Sequence, residues 1–324
     1  MRIAIVGAGA TGGYLGARLA QAGADVVLVA RGPHLEAMRE RGLTVREPDG
    51  SSFSAQPACT NDLAAAVGGA DTVFVTLKAH SLPGVASELA GALRPGATLV
   101  TAQNGIPWWY LHAGYQGPLA GTILESVDPG GRLSRTIPIE SVLHCIVYPA
   151  TALAEPGVVE HLEGTRFTLG EPDGSRSERA VAISKVLAGA GLKAPVQTRI
   201  RNEIWLKLLG NASFNPVSAL GRATLGQIGQ LLQGPILIKD LMEEIEEIAR
   251  AVGEEIAIPI DRRIEAALEL TEHKTSMLQD LEAGRPLEVD ALVGGPLEIG
   301  ARLGLAVPHL GTVYTLLKLL DNSR

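Results

Sequence analysis

The sequence predicts an α/β fold with a parallel sheet in the first part of the chain and an all-helical domain in the second part. Three observations lead to this prediction. Short apolar runs rich in Ile and Val alternate with helical patterns, a glycine-rich segment follows the first run directly, and strand signals stop after about Pro195. These observations predict two domains, residues 1–197 and residues 198–324.

The first domain is predicted to be a series of strands and crossover helices. Its predicted parallel strands are residues 2–6, 25–30, 72–77 and 98–102. A helical pattern from about Gly13 to Ala22 separates the first two strands, with Leu15 and Leu19 one turn apart. Such alternation predicts a parallel sheet with right-handed crossovers. Gly and Pro punctuate further strands at residues 142–148, 158–161 and 166–169, which is typical of an antiparallel edge.

The glycine-rich segment between the first strand and the first helix predicts a dinucleotide-binding site. The segment is Gly7-Ala8-Gly9-Ala10-Thr11-Gly12. Such spacing alone often marks only a turn, but here it follows a strand and opens a helix within a βαβ unit of about 30 residues. Gly7 allows the tight turn, Gly9 lets the backbone approach a pyrophosphate, and Gly12 allows close packing of the helix. Because the helix N-terminus also attracts phosphate, a Rossmann domain is predicted.

The end of the second strand indicates which dinucleotide binds. Enzymes that use NAD usually carry Asp or Glu there, which binds the ribose 2′-hydroxyl. This chain has Ala30 and Arg31 instead, and a guanidinium can bind a 2′-phosphate through two hydrogen bonds. The alternative is that Arg31 is a solvated loop residue. The sequence therefore favours NADPH, or NADP⁺ in the oxidised form, as the cofactor.

Two polar residues follow predicted strands at the sheet edge where open α/β folds bind ligands. Lys78 follows the third predicted strand, and its ammonium can meet a phosphate. Asn104 follows the fourth strand and precedes Gly105, where it either only turns the chain or also offers its amide to a ligand. Trp108 and Trp109 come next, and they form either core or a wall of the substrate site.

Long helical patterns predict the second domain. They cover residues 202–212, 236–252, 261–283 and 289–303. From the first pattern onward, Glu203, Lys207, Asn211 and Asn215 recur every four residues and so form one stripe. The stripe is either a solvated face with one Glu203–Lys207 pair or a set of donors held for a ligand. Asparagine is a poor helix former, which favours the second reading, but the spacing alone leaves both open.

Ser276 and Glu288 complete the candidate groups of the second domain. Ser276 lies near the end of the third helical pattern, and Glu288 follows a break at residues 284–286. A serine, a lysine, amides and a carboxylate are the groups needed to bind and protonate a keto acid. The spacing does not show that they converge.

Composition and charge exclude several classes of protein. The net charge of -7 argues against a general nucleic-acid binder, which needs clustered Lys and Arg. No apolar stretch approaches the roughly 20 residues of a membrane span. Cys59 and Cys145 match no metal or redox spacing, so we expect a reduced, cytoplasmic protein without a metal site. A homodimer is possible, but the sequence does not set the oligomeric state.

The chain resembles the ketopantoate reductase (2-dehydropantoate 2-reductase) family over essentially its full length. The matching segments are GAGATG with Arg31, TLKA at Lys78, QNG at Asn104, NEIWLKLLGNASFNP at residues 202–216, and SMLQD with GRPLEVD within residues 276–290. The helical segment and the pairing of SMLQD with Glu288 are far more specific than the glycine loop. The resemblance implies a Rossmann domain joined to a 6-phosphogluconate-dehydrogenase-like helical domain.

The resemblance also implies roles for individual residues. It places the catalytic lysine at Lys207 and substrate-binding groups at Asn104, Asn211, Asn215 and Ser276. Lys78, Asn104 and Glu288 match positions that meet the cofactor or stand at its nicotinamide end.

The implied reaction is the NADPH-dependent reduction of 2-dehydropantoate to pantoate, in pantothenate and coenzyme A biosynthesis. In that reaction the Lys207 ammonium binds and protonates the carbonyl oxygen of the small keto acid, while Ser276 holds its carboxylate. The alternatives are a reductase of another small branched 2-keto acid and a non-enzymatic NADPH-sensing protein. His273, the pair Val293-Gly294 and His309 depart from the family pattern, which leaves the identity of the substrate open.

Overall fold

The computed structural model describes residues 1–323, which group into two compact units. Unit 1 comprises residues 1–103 and 132–200, and unit 2 comprises residues 104–131 and 201–323. Unit 1 contains a parallel sheet with crossover helices, and unit 2 is built from helices, which confirms the predicted fold class. Among the described residues, no helix combines the length and the apolar character needed to cross a membrane.

Unit 1 holds all the strands of the described chain and its first six α-helices. The strands are β1 (Arg2–Val6), β2 (Asp25–Val29), β3 (Leu43–Arg46), β4 (Ser52–Ala55), β5 (Ala58–Thr60), β6 (Thr72–Val75), β7 (Thr98–Thr101), β8 (Val142–Val147), β9 (Ala150–Glu155), β10 (Val158–Glu163) and β11 (Phe167–Gly170). The helices are α1 (Ala10–Gln21), α2 (Gly32–Arg41), α3 (Leu63–Gly68), α4 (Leu82–Ala92), α5 (Arg132–Thr136) and α6 (Glu178–Gly189).

The main sheet of unit 1 has seven strands in the order β11-β8-β7-β6-β1-β2-β5. All neighbours are parallel except β11, which runs antiparallel to β8. Val6 pairs with both Val29 and Val75, and Val75 pairs with Thr101. The carboxyl ends of β2, β1, β6 and β7 therefore lie side by side. The residues that follow these strands therefore share the carboxyl edge of the sheet, where open α/β folds bind ligands.

A second sheet in unit 1 has the strand order β4-β3-β10-β9. Of its strands only β10 is predicted from the sequence; β3 and β4 have only four residues each, and β9 contains three alanines, which have a low preference for strands. Helix α1 packs against strands of both sheets, and the buried Tyr14 ring stacks on His161 of β10 with the ring centroids 4.4 Å apart. The second sheet thus covers the face of α1 that the main sheet leaves exposed.

Unit 2 is made of eight α-helices and one π-helix within the described residues. The α-helices are α7 (Ile200–Asn211), α8 (Phe214–Gly221), α9 (Leu225–Gln230), α10 (Gly234–Ala251), α11 (Ile260–Leu268), α12 (Ser276–Glu282), α13 (Gly295–Arg302) and α14 (Pro308–Asn322). The π-helix, Asp290–Gly294, leads directly into α13. The predicted helix at residues 236–252 is confirmed by α10 within two residues at each end.

The prediction of one helix over residues 261–283 is wrong. Helix α11 ends at Leu268, and α12 begins only at Ser276. The backbone between them bonds elsewhere: the carbonyls of Thr271 and His273 accept hydrogen bonds from the first N–H groups of α9, at 3.0 and 3.1 Å. Thr275 then caps α12, because its hydroxyl accepts a hydrogen bond from the Leu278 N–H at 3.3 Å. Ser276 therefore starts a helix and does not lie near the end of one.

Residues 104–131 group with unit 2, although they precede the predicted boundary at residues 197 and 198. The Glu298 carboxylate accepts hydrogen bonds from the backbone N–H groups of Glu125 and Ser126, at 3.1 and 2.9 Å. The Ile106 N–H donates to the Ala291 carbonyl at 3.0 Å. Because these contacts join residues far apart in sequence, a boundary based on the local composition does not show them.

Candidate functional site

The glycine-rich loop of unit 1 has the shape that a dinucleotide phosphate requires. Gly7 has a φ of +100°, and a Cβ there would lie 2.8 Å from the backbone nitrogen of Leu77. Gly9 is the N-cap of α1, and a Cβ built on it would have no heavy atom within 4 Å. The loop is therefore tight at Gly7 and open at Gly9, beside the positive end of α1. This open backbone is the feature that lets a pyrophosphate approach closely.

Thr76, the first residue after β6, fixes the glycine-rich loop through its hydroxyl. Its hydroxyl donates to the Gly7 carbonyl at 2.7 Å. A Cβ on Gly12 would lie 2.4 Å from both the Thr76 hydroxyl and the Gly7 carbonyl, so only glycine fits at this contact. Thr76 lies in the TLKA segment, but no sequence pattern singles it out as a site residue. Thr76 holds the turn that presents Gly9.

We expect Thr76→Val to lower both the stability of the protein and its affinity for a dinucleotide. The variant keeps the shape of the side chain but removes this donor from the part-buried Gly7 carbonyl, which costs about 1 kcal/mol. Urea unfolding and calorimetric titration with NADPH measure the two effects. Thr76→Ser retains the hydroxyl and serves as the matched control. Unchanged binding by Thr76→Val would show that this hydrogen bond does not shape the loop.

His34, on the first turn of α2, is a second residue that the sequence analysis missed. Its Nδ1 accepts a hydrogen bond from the Gly157 N–H at 3.0 Å, so the neutral ring carries its proton on Nε2. Burial lowers the pKa of His34, and a hydrogen bond with the Ala8 backbone opposes this effect. The neutral ring therefore lies between the glycine loop and the second sheet. A lone histidine at this spacing carries no signal in the sequence.

Arg31 and Lys78 follow β2 and β6 by two and three residues, because these strands end at Val29 and Val75, slightly earlier than the sequence predicts. Arg31 is exposed and is the N-cap of α2, while Lys78 is partly buried and precedes a short 3₁₀ turn, Ala79–Ser81. The side-chain amide of Gln103 donates to the carbonyls of Val75 and Leu77, at 2.7 and 3.1 Å. Gln103 thus fixes the backbone that leads to Lys78.

In unit 2, Lys207 lies against Asn104. Lys207 is on α7, and its Nζ donates to Oδ1 of Asn104 at 2.6 Å. Both side chains are partly buried. The two residues are far apart in the sequence, so this contact is the first direct sign that the predicted candidates converge. The Asn104 amide oxygen orients the lysine ammonium as a hydrogen-bond donor.

The turn after Asn104 rests on the π-helix. Gly105 has a φ of +87°, and a Cβ there would lie only 2.1 Å from the Ala291 carbonyl oxygen. The same carbonyl accepts the hydrogen bond from the Ile106 N–H. A π-turn leaves a carbonyl out of the usual α-helical ladder, and such turns are frequent at functional sites. Asn104 is therefore held by its backbone as well as by Lys207.

The π-helix is itself anchored at Asp290, two residues after Glu288. The Asp290 carboxylate accepts hydrogen bonds from the Tyr314 hydroxyl at 2.8 Å and from Lys318 Nζ at 3.0 Å. Burial and the hydrogen bond with Asp290 raise the pKa of Tyr314 to about 12, so the phenol remains a donor at neutral pH. Glu288 is partly buried and lies two residues before this anchored segment.

The predicted stripe does not follow one helix. Helix α7 ends at Asn211, and Asn215 belongs to α8. Pro216 has no N–H and its ring clashes with the preceding turn, so the helix breaks before it. At the break, the Ser213 hydroxyl donates to the Leu209 carbonyl at 2.6 Å. Asn211 remains one turn after Lys207. The buried Asn215 lies on α8, which packs against α12, and the exposed Ser276 is the first residue of α12.

The adjacent tryptophans Trp108 and Trp109 of unit 2 are core residues. Trp108 and Trp109 are 5% and 0% exposed. This burial decides between the two readings that the sequence left open, because a solvent-facing wall of a substrate site would expose more of the rings.

The comparisons with known proteins give one family over both parts of the chain. The description "Ketopantoate reductase PanE/ApbA" matches residues 3–174, and "Ketopantoate reductase PanE/ApbA C terminal" matches residues 199–321. A 2-dehydropantoate 2-reductase of Mesorhizobium japonicum is 46% identical over 325 aligned residues, which cover 100% of this chain and 99% of the relative.

Solved structures with the same fold are also similar over the whole chain. A crystal structure of a proposed ketopantoate reductase from Ralstonia solanacearum MolK2 is 40% identical and has a TM-score of 0.92, covering 100% of this chain and 98% of that one. The 2-dehydropantoate 2-reductase of Geobacter metallireducens GS-15 is 29% identical with a TM-score of 0.85, covering 98% and 99%.

Proposed function

The chain belongs to the ketopantoate reductase family of oxidoreductases, and from this premise we propose that it reduces 2-dehydropantoate to pantoate with NADPH, a step of pantothenate and coenzyme A biosynthesis. The observation that carries the proposal is the contact between Lys207 and Asn104 in unit 2. It places a charged donor and an amide together, as binding and protonation of a keto group require.

The residues of unit 1 fit the cofactor. The open space at Gly9, the tight turn at Gly7 and the N-terminus of α1 match the needs of a pyrophosphate. We propose that this loop holds the pyrophosphate, that Arg31 binds the 2′-phosphate, and that Lys78 and Glu288 meet the cofactor nearer its nicotinamide end. When bound, the cofactor supplies the hydride.

Lys207 then performs the acid step. Its ammonium donates a hydrogen bond to the keto oxygen, stabilises the negative charge that grows there, and gives up a proton to form the alcohol. The Asn104 amide oxygen accepts one of the N–H groups of Lys207 and so limits the positions that the ammonium samples. We assign the substrate carboxylate to Ser276, and the remote hydroxyl to Asn211 and Asn215.

Steady-state kinetics with 2-dehydropantoate and NADPH tests the function. We expect the highest kcat/KM for this substrate in a panel of branched 2-keto acids. A higher value for another member of the panel would assign the chain to that substrate instead. Absence of turnover with every keto acid would contradict the proposal and favour an NADPH-sensing protein.

Arg31 provides a test of the cofactor assignment. We expect NADPH to be preferred over NADH, and Arg31→Ala to raise the KM for NADPH much more than the KM for NADH. The lost charge-assisted contact is worth about 1.5–3 kcal/mol, or roughly one to two powers of ten in KM. KM values for both cofactors, with Arg41→Ala as a surface control, measure the effect. Equal use of NADPH and NADH by the unchanged protein would contradict the assignment.

We also propose a cytoplasmic location, supported by the wide separation of the two cysteines, neither of which forms a disulfide in the described structure. The homodimer stays a prediction, which sedimentation analysis checks.

A further inference from the structure

Helix α7 binds the segment of residues 104–115 at three separate points. Lys207 donates to the Asn104 side chain at 2.6 Å. Trp205 donates through its indole N–H to the hydroxyl of Tyr110, also at 2.6 Å. Arg201 donates to backbone carbonyls farther along the same segment. Helix α7, which carries Lys207, therefore also holds in place the segment that carries Asn104, the partner of Lys207.

The Trp205–Tyr110 contact is buried and specific. Both side chains are 0% exposed, and their rings meet edge to face with the centroids 6.1 Å apart. Burial raises the pKa of Tyr110, and the charge of Glu254 adds to this effect, so the phenol stays neutral. Its oxygen accepts the indole proton, and no water can replace either partner without opening the core. This hydrogen bond therefore sets one position of the segment along α7.

Arg201 secures the far end of the segment. Its guanidinium donates to the carbonyls of Tyr110, His112 and Ala113, at 3.0, 2.7 and 3.3 Å. Ala113 has a φ of +49°, a conformation that a residue with a Cβ adopts only when its surroundings hold it. The guanidinium also lies 5.4 and 5.6 Å from the ring centroids of Trp109 and Tyr110. Arg201 thus holds a strained turn in place.

We infer that Tyr110, Trp205 and Arg201 are positioning residues for the acid step, and that they act on Lys207 through Asn104. A lysine side chain has four rotatable bonds, so its ammonium is placed accurately only when a partner holds it. That partner, Asn104, lies on a segment whose register along α7 is set by these three residues. This inference rests on the proposed function, because it concerns the donor of that reaction.

A purely structural role makes a different prediction. If the aromatic contacts only fill the core, their loss lowers the melting temperature and leaves the kcat of the folded enzyme unchanged. If they position Asn104, their loss lowers kcat, because a displacement of about 1 Å in a reacting group can cost roughly 100-fold in rate. The affinity for NADPH, which we assign mainly to the glycine-rich loop and Arg31 of unit 1, stays nearly the same in both cases.

The experiment is a double-mutant cycle with Tyr110→Phe and Trp205→Phe. Each removes one partner of the same hydrogen bond, and Tyr110→Phe does so with almost no change of shape. We expect each single variant to lower kcat for 2-dehydropantoate by about 10- to 100-fold. The double variant should be no slower than the slower single variant, because both act through one contact. The Kd for NADPH should stay unchanged.

Tyr115→Phe is the matched control. The ring of Tyr115 lies 6.0 Å from that of Tyr110, and its buried hydroxyl has no hydrogen-bond partner among the described residues. The same chemical change in the same cluster should therefore leave kcat unaltered. Should Trp205→Phe fail to fold, Tyr110→Phe and Arg201→Lys still test the inference.

The possible failures are distinguishable when Lys207→Ala is assayed alongside. If the unchanged enzyme turns over and Lys207→Ala does not, normal kcat in folded Tyr110→Phe overturns the positioning role alone. If the unchanged protein reduces no keto acid, the proposed function fails, and the positioning role falls with it.

Discussion

Lys207→Ala is expected to lower kcat for keto-acid reduction by about 10²–10⁴-fold, the usual worth of a positioned general acid. The ammonium of Lys207 donates to Asn104 at 2.6 Å, and we assign it the proton that forms the product alcohol. Alanine removes both the charge and the proton. Binding of NADPH should barely change, because the glycine loop and Arg31 belong to unit 1 and Lys207 to unit 2.

Steady-state kcat, the Kd for NADPH and the melting temperature of the same variant test this expectation. Lys207→Arg should not restore full activity, because a guanidinium keeps the charge but gives up its proton far less readily.

Lys239 provides a matched control in the same unit. Its ammonium binds the Asp261 carboxylate at 2.8 Å on the surface, so Lys239→Ala should leave kcat unchanged. The competing reading makes Lys207 a solvated lysine paired with Glu203. It predicts near-normal turnover for Lys207→Ala and a stability change within about 0.5 kcal/mol. Normal turnover in Lys207→Ala would contradict the proposed mechanism.

Gly9→Val is expected to abolish NADPH binding and to leave a folded protein. A Cβ on Gly9 meets no heavy atom within 4 Å, and the Gly9 backbone is extended with a φ of −76°, outside the left-handed region that favours glycine. The new side chain would occupy the open space that we assign to the pyrophosphate. We expect a loss of at least about 100-fold in affinity, which corresponds to about 2.7 kcal/mol.

Calorimetric titration with NADPH and a thermal melt without the cofactor test the two halves of this prediction. Gly12→Val is the contrasting variant in the same loop. A Cβ there would lie 2.4 Å from the Gly7 carbonyl, so it should destabilise the fold itself, by about 1–3 kcal/mol or more. Tight NADPH binding by Gly9→Val would show that the loop is only a structural turn.

The sequence by itself determined the features that depend on neighbouring residues. β1, the loop from Gly7 to Gly12, α1 and β2 form one continuous stretch, and their apolar periodicity and glycine spacing report the local backbone directly. Arg31 is predictable for the same reason, since it follows a strand whose end is visible in the pattern. The position of Lys207 and Asn211 one turn apart on α7 also follows from spacing alone.

Contacts between distant residues decided the rest. Three features leave no periodic signal in the sequence. They are the hydrogen bond between Lys207 and Asn104, the close packing of Gly105 against the π-helix, and the grouping of residues 104–131 with unit 2. The same holds for the two helix breaks. Ser213 bonds back to Leu209, and the segment after Leu268 bonds to α9, so backbone groups that a continuous helix would use are committed elsewhere. Local patterns report propensity and burial, whereas these positions are set by which distant hydrogen-bonding groups the packed structure brings within reach.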